Sequence, residues 1–404
     1  MKTRSIRRFV TVAIGALLVA SCGGGSSSDS SPTTDEVVTT EAPVTEPAST
    51  EAPRIDASHA YVDAGPYPVG VTTLTLPAGN QVEVWYPAVE GTTGTESYDV
   101  RDFVPDAIRA LLTADVPAVY EYEAGRDAAV ADGEFPVVLN SHGYSGIRLG
   151  STFLTAHLAS WGMIVVSPDH WSRDLYHVLS TLVGDRDAAI GDLLDSLDLV
   201  AMSNDDPASL LQGHVDTSRV VAVGHSAGAG TVVKVAAADD RVIGYVSLAA
   251  GISLTLESTA EEIAGIPNKP SFFIAGALDG IANPEVATRP AYELVPAPSR
   301  LWIIDGVGHN GFDDFCTFGN GSGIIGVAMA SGLGPLPEAQ PQLKSLGEDG
   351  CIPPAVDVET SFPIIRHAVT AQIRFWFGED PEPVGIGPDV SDKYDLAVEI
   401  AEKG

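Results

Sequence analysis

The chain has 404 residues, 45% of them hydrophobic and 7% aromatic, enough apolar material for a folded core of ordinary soluble character. Acidic residues outnumber basic ones 54 to 22, for a formal net charge of −32. A surface of that sign repels phosphodiester backbones and anionic headgroups, so neither nucleic acid nor a bare membrane surface is expected as an electrostatic partner.

Lys2, Arg4, Arg7 and Arg8 form a basic start, and residues 9–20 an apolar run too short to span a bilayer as a mature helix. The run ends Leu18-Val19-Ala20-Ser21-Cys22, which resembles the bacterial lipobox. That resemblance implies cleavage before Cys22 and acylation of its thiol. Residues 23–53 are Gly/Ser-rich, then Thr/Pro/Glu/Ala-rich, and too poor in large apolar side chains to fold. The expected division is a signal peptide over 1–21, a tether over 22–54 and a folded domain over 55–404. The protein would then be exported and lipid-anchored on the outer side of the bacterial cytoplasmic membrane, touching that membrane only through its N-terminus.

Residues 71–76 and 81–86 alternate polar and apolar side chains across Pro77-Ala78-Gly79-Asn80, which predicts a β-hairpin at a sheet edge. Residues 91–133 are less regular, with a short helix expected over 106–112 and a position that would let the segment cover one rim of a site. A buried strand is predicted at 135–140, then a helix at 151–160 and a strand at 163–167. Ile190, Leu193, Leu194, Leu197 and Val200 recur at helical spacing within 187–202. Residues 220–223, 242–248, 271–275 and 301–304 read as further buried strands, with a helix over 231–238. A final helix is predicted at 362–377, and the Pro/Gly-rich tail after Gly378 ends in a short helical pattern. Strands of continuous hydrophobicity alternating with helices predict an α/β fold, a mostly parallel sheet covered on both faces.

Gly224-His225-Ser226-Ala227-Gly228 fits G-x-S-x-G between a strand and a helix, the context of a nucleophile elbow. A serine on so sharp a turn leaves little room beside it, hence the flanking glycines. Such a nucleophile needs a base and an acid to orient that base, in the chain order serine, acid, histidine. Asp279 follows the strand at 271–275 and His309 follows the strand at 301–304. Asp305 lies too early, Asp313 and Asp314 lie on the wrong side of the histidine, and His225 and His142 read as structural. Two backbone N–H groups must face the developing oxyanion. Ala227 is expected to supply one and Tyr144, in the loop after the first central strand, the other. Tyr144 and Trp171 are candidate pocket residues, with walls expected from 91–133, 171–184, 251–267 and the loop after His309.

The arrangement resembles the α/β-hydrolase superfamily, and within it the branch of cutinase-like polyester hydrolases, dienelactone-hydrolase-like esterases and platelet-activating-factor acetylhydrolases. Val84-Trp85-Tyr86-Pro87, His142-Gly143-Tyr144, Leu158-Ala159-Ser160-Trp161-Gly162 and Gly276-Ala277-Leu278-Asp279-Gly280-Ile281-Ala282 carry the likeness. The last is similar to the acid loop of the cutinase-like enzymes. Asp169-His170 and Phe312-Asp313-Asp314-Phe315-Cys316 are similar to the acetylhydrolase side. The chain departs from both where Ala227 stands, a position that often carries Met or Phe, and the smaller residue widens the pocket floor.

With Cys22 assigned to the anchor, Cys316 and Cys351 remain as a pair expected to form a disulfide in an exported domain. No metal-binding or phosphate-loop pattern is present, so no metal and no cofactor are expected. The reading is a serine carboxylester hydrolase working through an acyl-enzyme on short-chain or aryl esters, small or polymeric, as a monomer. Polyester or phospholipid acetyl ester hydrolysis is the alternative, and a surface binding protein that retained the fold is the non-enzymatic one. A peptidase would need a recognition domain for which no segment speaks.

Overall fold

In the computed structural model, residues 59–251 and 265–404 are described; all fall within one compact unit, Arg54–Gly404. The expected signal peptide, Cys22 and the tether lie outside the described residues, as do residues 252–264 of the segment expected to wall the site.

The short apolar runs form a ten-stranded sheet. Its strands are β1 (Val69–Thr75), β2 (Gln81–Pro87), β5 (Gly125–Arg126), β6 (Phe135–Ser141), β7 (Ile164–Pro168), β8 (Val215–His225), β9 (Val242–Leu248), β10 (Ser271–Gly276), β11 (Ser299–Ile304) and β12 (Val398–Lys403). The order across the sheet is β12-β11-β10-β9-β8-β6-β7-β2-β1-β5. The central six strands, β7 to β11 with β6, run parallel, whereas β2 joins β7 antiparallel and pairs with β1 as the expected hairpin. Both faces of the parallel strands are buried, which is why they read as unbroken apolar runs.

Alternate residues of each strand feed two separate cores. Val138, Val221, Val223, Ile274 and Trp302 pack with α2 (Thr152–Ser160) and a long C-terminal helix, α10 (Val358–Trp376). Val137, Leu139, Ala222, Phe273 and Ile303 pack on the other face with α4 (Ala188–Asp205), α5 (Ala227–Ala238) and α6 (Thr288–Leu294). Leu193, Leu197 and Val200 turn the same stripe of α4 inward, as their spacing requires. α10 is capped by Asp357, whose carboxylate accepts from Thr360 N–H.

Three segments differ from expectation. Residues 91–133 hold, besides a one-turn helix α1 (Asp106–Arg109), an antiparallel ribbon of β3 (Thr95–Asp99) and β4 (Val119–Glu123). This segment buries Tyr98, Val100, Val104 and Val116 in the core instead of forming a rim of the cavity beside Ser226. The stretch after His309, rich in glycine and proline, is largely helical: α7 (Gly323–Ala330), α8 (Pro335–Ala339) and α9 (Pro341–Glu348). Proline stands at the start of both α8 and α9, where its missing N–H costs nothing and its fixed φ favours the first turn. The terminal helical pattern is instead β12, antiparallel to β11. An otherwise open edge of β11 supplies it with backbone partners, and Val398 and Ile400 pack against one core while Ala401 meets the other.

Candidate active site

All residues of the candidate site stand at the C-terminal ends of parallel strands, where loops from adjacent strands converge. β8 ends at His225 and α5 begins at Ala227, leaving Ser226 alone in the turn with φ 56° and ψ −120°. A non-glycine residue held there is strained, and the surroundings impose it. A Cβ on Gly224 would stand 2.3 Å from the carbonyl oxygen of Gly228, and one on Gly228 would stand 2.0 Å from that of Ser141. The two glycines therefore let the turn close on itself and on β6. Ser226 N–H donates to the Leu248 carbonyl at 2.9 Å, tying the elbow to β9.

β11 delivers His309 to the same place. Ser226 Oγ donates to His309 Nε2 at 2.8 Å, and His309 Nδ1–H donates to Asp279 Oδ2 at 2.9 Å. The second carboxylate oxygen of Asp279 accepts from Ile281 N–H at 2.9 Å and Ala282 N–H at 2.7 Å, so the turn after β10 fixes its orientation. Asp279 and His309 are each 1% exposed. The three residues thus form one chain of hydrogen bonds from a half-buried hydroxyl to a buried, anchored carboxylate.

Ala227 opens α5, so its N–H has no partner within the helix. Across from it, the loop after β6 lies directly against the elbow: a Cβ on Gly143 would be 3.0 Å from Ser226 Cβ. Tyr144, the next residue, lines the same cavity as Ser226 and His309.

That loop is held by a buried polar network. Arg173, only 2% exposed, donates from Nη2 to Ser141 Oγ at 2.8 Å, from Nε and Nη2 to the His142 carbonyl, and from Nη1 to Thr231 Oγ1 at 2.9 Å. Burial lowers its pKa to about 10, which leaves the guanidinium charged at neutral pH. Ser141 Oγ donates in turn to His170 Nε2, and His170 Nδ1–H to Asp192 Oδ2, both at 2.9 Å. His142 accepts from His170 N–H on Nε2 and donates from Nδ1 to the Gly143 carbonyl. Burial holds both imidazoles well below their usual pKa. Arg173 has no motif around it; its role appears only through contacts 31 to 58 residues away.

His225 turns from Ser226: its Nε2–H donates to the His309 carbonyl at 3.0 Å, and Nδ1 faces Asp313 Oδ2 at 3.4 Å. Burial, then the neighbouring His309, lowers its pKa to about 3, and burial raises that of Asp313 well above the carboxylate range. Asp314 instead caps α2, accepting from Thr152 N–H at 2.7 Å and Phe153 N–H at 3.0 Å, with Tyr98 Oη–H donating at 2.9 Å. Asp305 stands just past β11 and is exposed.

Beside Ser226 is a cavity of about 90 Å³ walled by Ile147, Leu175, Val178, Leu179, Phe315, Ile324, Ile325, Leu343 and Leu346. It opens on a wide groove of about 910 Å³ that shares Tyr144, Val178, Ser226, Leu343 and Leu346 and adds Arg186, Ile281, Gln340 and Gln342. Trp171 lines neither. It is 42% exposed, lies 5.7 Å from the His177 ring, and borders a different depression with Phe103 and Tyr176. The walls come from α3 (Leu175–Leu179), α7 and α9, short elements whose apolar residues carried no readable pattern. Cys316 and Cys351 form a disulfide across this segment, with Cα atoms 4.7 Å apart. Among the described residues no cluster of three His, Cys, Asp or Glu side chains is placed to hold a metal ion.

Sheet order, strand-end loops and elbow define an α/β-hydrolase fold. A ferulic acid esterase from Streptomyces cinnamoneus shares it with a TM-score of 0.60 at 21% identity, over 83% of this chain and 98% of that one. The sequence model of the PET hydrolase-like family matches residues 122–329, just over half of the chain, and the chain belongs to that family. Cutinase est2 of Thermobifida alba is 26% identical over 174 residues, 42% of this chain and 51% of that protein. The chain thus spans about half the length of that curated relative.

Proposed function

We propose that the protein is a serine carboxylester hydrolase in which Ser226 is the nucleophile, His309 the general base and acid, and Asp279 the residue that orients it. The observation that carries this reading is the unbroken hydrogen-bond chain from Ser226 Oγ through His309 to Asp279. Ser226 Oγ attacks the ester carbonyl as His309 Nε2 takes its proton; Asp279 holds the tautomer and stabilises the imidazolium. The Tyr144 and Ala227 N–H groups receive the oxyanion, each such donor contributing about 2.7–4 kcal/mol to barrier lowering. His309 then protonates the leaving alkoxide, and a water activated by the same nitrogen releases the acid from the acyl-enzyme.

The cavity and groove divide the substrate. A small, apolar cavity suits a short acyl chain or one aryl ring, and the open groove accommodates a larger alcohol portion or a continuing polymer. Membership of the PET hydrolase-like family and the likeness to a cutinase support aryl and polymeric esters alongside short-chain ones. The small volume of the cavity, about 90 Å³, argues against long fatty chains as the preferred acyl group.

The test is release of p-nitrophenol from an acyl series, acetate to palmitate, and of soluble acids from aromatic polyester film, by the full-length chain and by Ser226→Ala. Hydrolysis that peaks at short acyl chains and vanishes in Ser226→Ala is the expected result. A folded wild-type protein inactive on every ester would favour the binding-protein reading. We propose in addition that Cys22 is lipidated and tethers the enzyme outside the cytoplasmic membrane, so that Cys22→Ser moves it from the detergent phase to the aqueous phase. Partition unchanged by that substitution would refute the anchor.

A further inference from the structure

Asp349 stands just after α9, 40 residues from His309 and 69 from Gly280 in sequence. Its Oδ1 accepts from His309 N–H at 2.7 Å and its Oδ2 from Gly280 N–H at 3.0 Å. Its carbonyl oxygen accepts from Asn310 N–H at 3.0 Å. One carboxylate therefore grips the backbone of His309 itself and of the residue that follows Asp279. Both bonds join an ionisable acceptor to a backbone donor, stronger than a neutral pair.

Three glycines make the approach possible. A Cβ on Gly280 would meet Asp349 Oδ2 at 2.8 Å, and one on Gly308 would meet Gly350 Cα at 2.6 Å. Gly350 has φ +88° and would bring a Cβ to 2.8 Å from Asn310 N. Two residues beyond Asp349, Cys351 is bonded to Cys316, on the continuation of the histidine loop. The disulfide thus anchors the clamp from its C-terminal side.

We infer that Asp349 is a positioning residue that holds the His309 and Asp279 loops at hydrogen-bonding separation. The inference rests on the esterase reading above. Asp349 does not line the cavity or the groove, so its loss should leave substrate binding intact. A small displacement of His309 relative to Ser226 and Asp279 is enough to slow the chemistry strongly.

The experiment compares the full-length wild type with Asp349→Ala and Asp349→Asn, using p-nitrophenyl butyrate, a thermal midpoint and the low-field proton NMR signal of the Asp279–His309 hydrogen bond. Asp349→Ala should lose about 100-fold in kcat with KM unchanged, and its low-field signal should shift or vanish. Asp349→Asn, which keeps the shape and can still accept from one amide, should fall between. Wild-type kcat and an unaltered low-field signal in Asp349→Ala would overturn the inference. So would a loss of activity matched by the fraction unfolded, and Asp349→Asn guards against an alanine variant that does not fold. A wild type inactive on the ester speaks against the esterase reading, and the low-field signal then still decides the role of Asp349.

Discussion

Gly228 and Ser141 are in such close contact that a single methyl group on the glycine would stand 2.0 Å from the serine's carbonyl oxygen. The turn at Ser226 is therefore shaped by the strand beside it as much as by its own torsions. Gly228→Ala must push α5 away from β6, and overpacking of this kind costs about 1–3 kcal/mol. The expected outcome is a stability loss of that order in urea unfolding, with kcat reduced more than KM is raised because Ser226 moves with the helix. An alanine variant with wild-type kcat would show that the turn tolerates displacement.

Asp279→Asn leaves the shape of the acid in place and removes its charge. An amide there favours the wrong His309 tautomer, and kcat at neutral pH should fall about 10,000-fold. Steady-state kinetics of the variant beside Ser226→Ala checks this. A fall of less than tenfold would mean that another group orients the imidazole.

Acid should destabilise the domain from a definable pH. Burial, the largest influence on both, lowers the pKa of His157 and of His225 to about 3, so each is neutral in the folded protein down to that pH. The unfolded chain binds these protons below about pH 6.5, so stability falls as pH drops from about 6.5 toward 3. Between pH 6.5 and 5 each contributes a loss of about 2 kcal/mol. Asp314 acts in the opposite sense: burial raises its folded pKa to about 7, and the stability it adds below about pH 4 is lost as pH rises through 7. His157→Gln should shrink the difference between urea midpoints at pH 7.5 and pH 5. An unchanged difference would assign the acid sensitivity elsewhere.

Ser226, Asp279 and His309, which the fold joins in one hydrogen-bond chain, were legible because each follows a strand whose hydrophobicity is continuous and local. The glycines around Ser226 state their steric reason within five residues. Arg173 and Asp349 carry no such signal, since each acts on backbone far along the chain and is an ordinary charged residue among its sequence neighbours. Ile324, Ile325, Leu343 and Leu346 wall the cavity from short helices in a Gly/Pro-rich stretch, too brief for periodicity to show. Trp171 illustrates the converse: aromatic character marked it as a pocket residue, but nothing local fixed the direction in which its ring would pack. At the C-terminus, the open edge of β11 outweighed a weak helical pattern that the chain presents by itself.

Removing the disulfide with Cys316→Ser and Cys351→Ser together should lower stability by about 4 kcal/mol on the loop-entropy account, for a sequence separation of 35. Activity should fall with it, because Asp349 and the α9 wall lose their nearer anchor. Thermal unfolding and kcat of the double variant measure both. A destabilised but fully active variant would separate the cross-link from the site.

Ile325→Phe would fill part of the cavity from the α7 side. The expected result is a larger loss of kcat/KM for butyrate than for acetate esters, by about tenfold, the scale of one to two methylene groups in an apolar pocket. Equal losses for both esters would place the acyl chain in the groove instead.

The residues between Cys316 and Cys351 enter and leave the molecule through a single covalent gate. What lies inside includes the cavity walls Ile324, Ile325, Leu343 and Leu346 and, next to the gate, Asp349, whereas Ser226, Asp279, His309 and the sheet lie outside it. The helices between Cys316 and Asp349 thus behave as an interchangeable cassette: their length and side chains can be redrawn, by evolution or by grafting, so long as Asp349 returns to the backbone of His309 beside the gate.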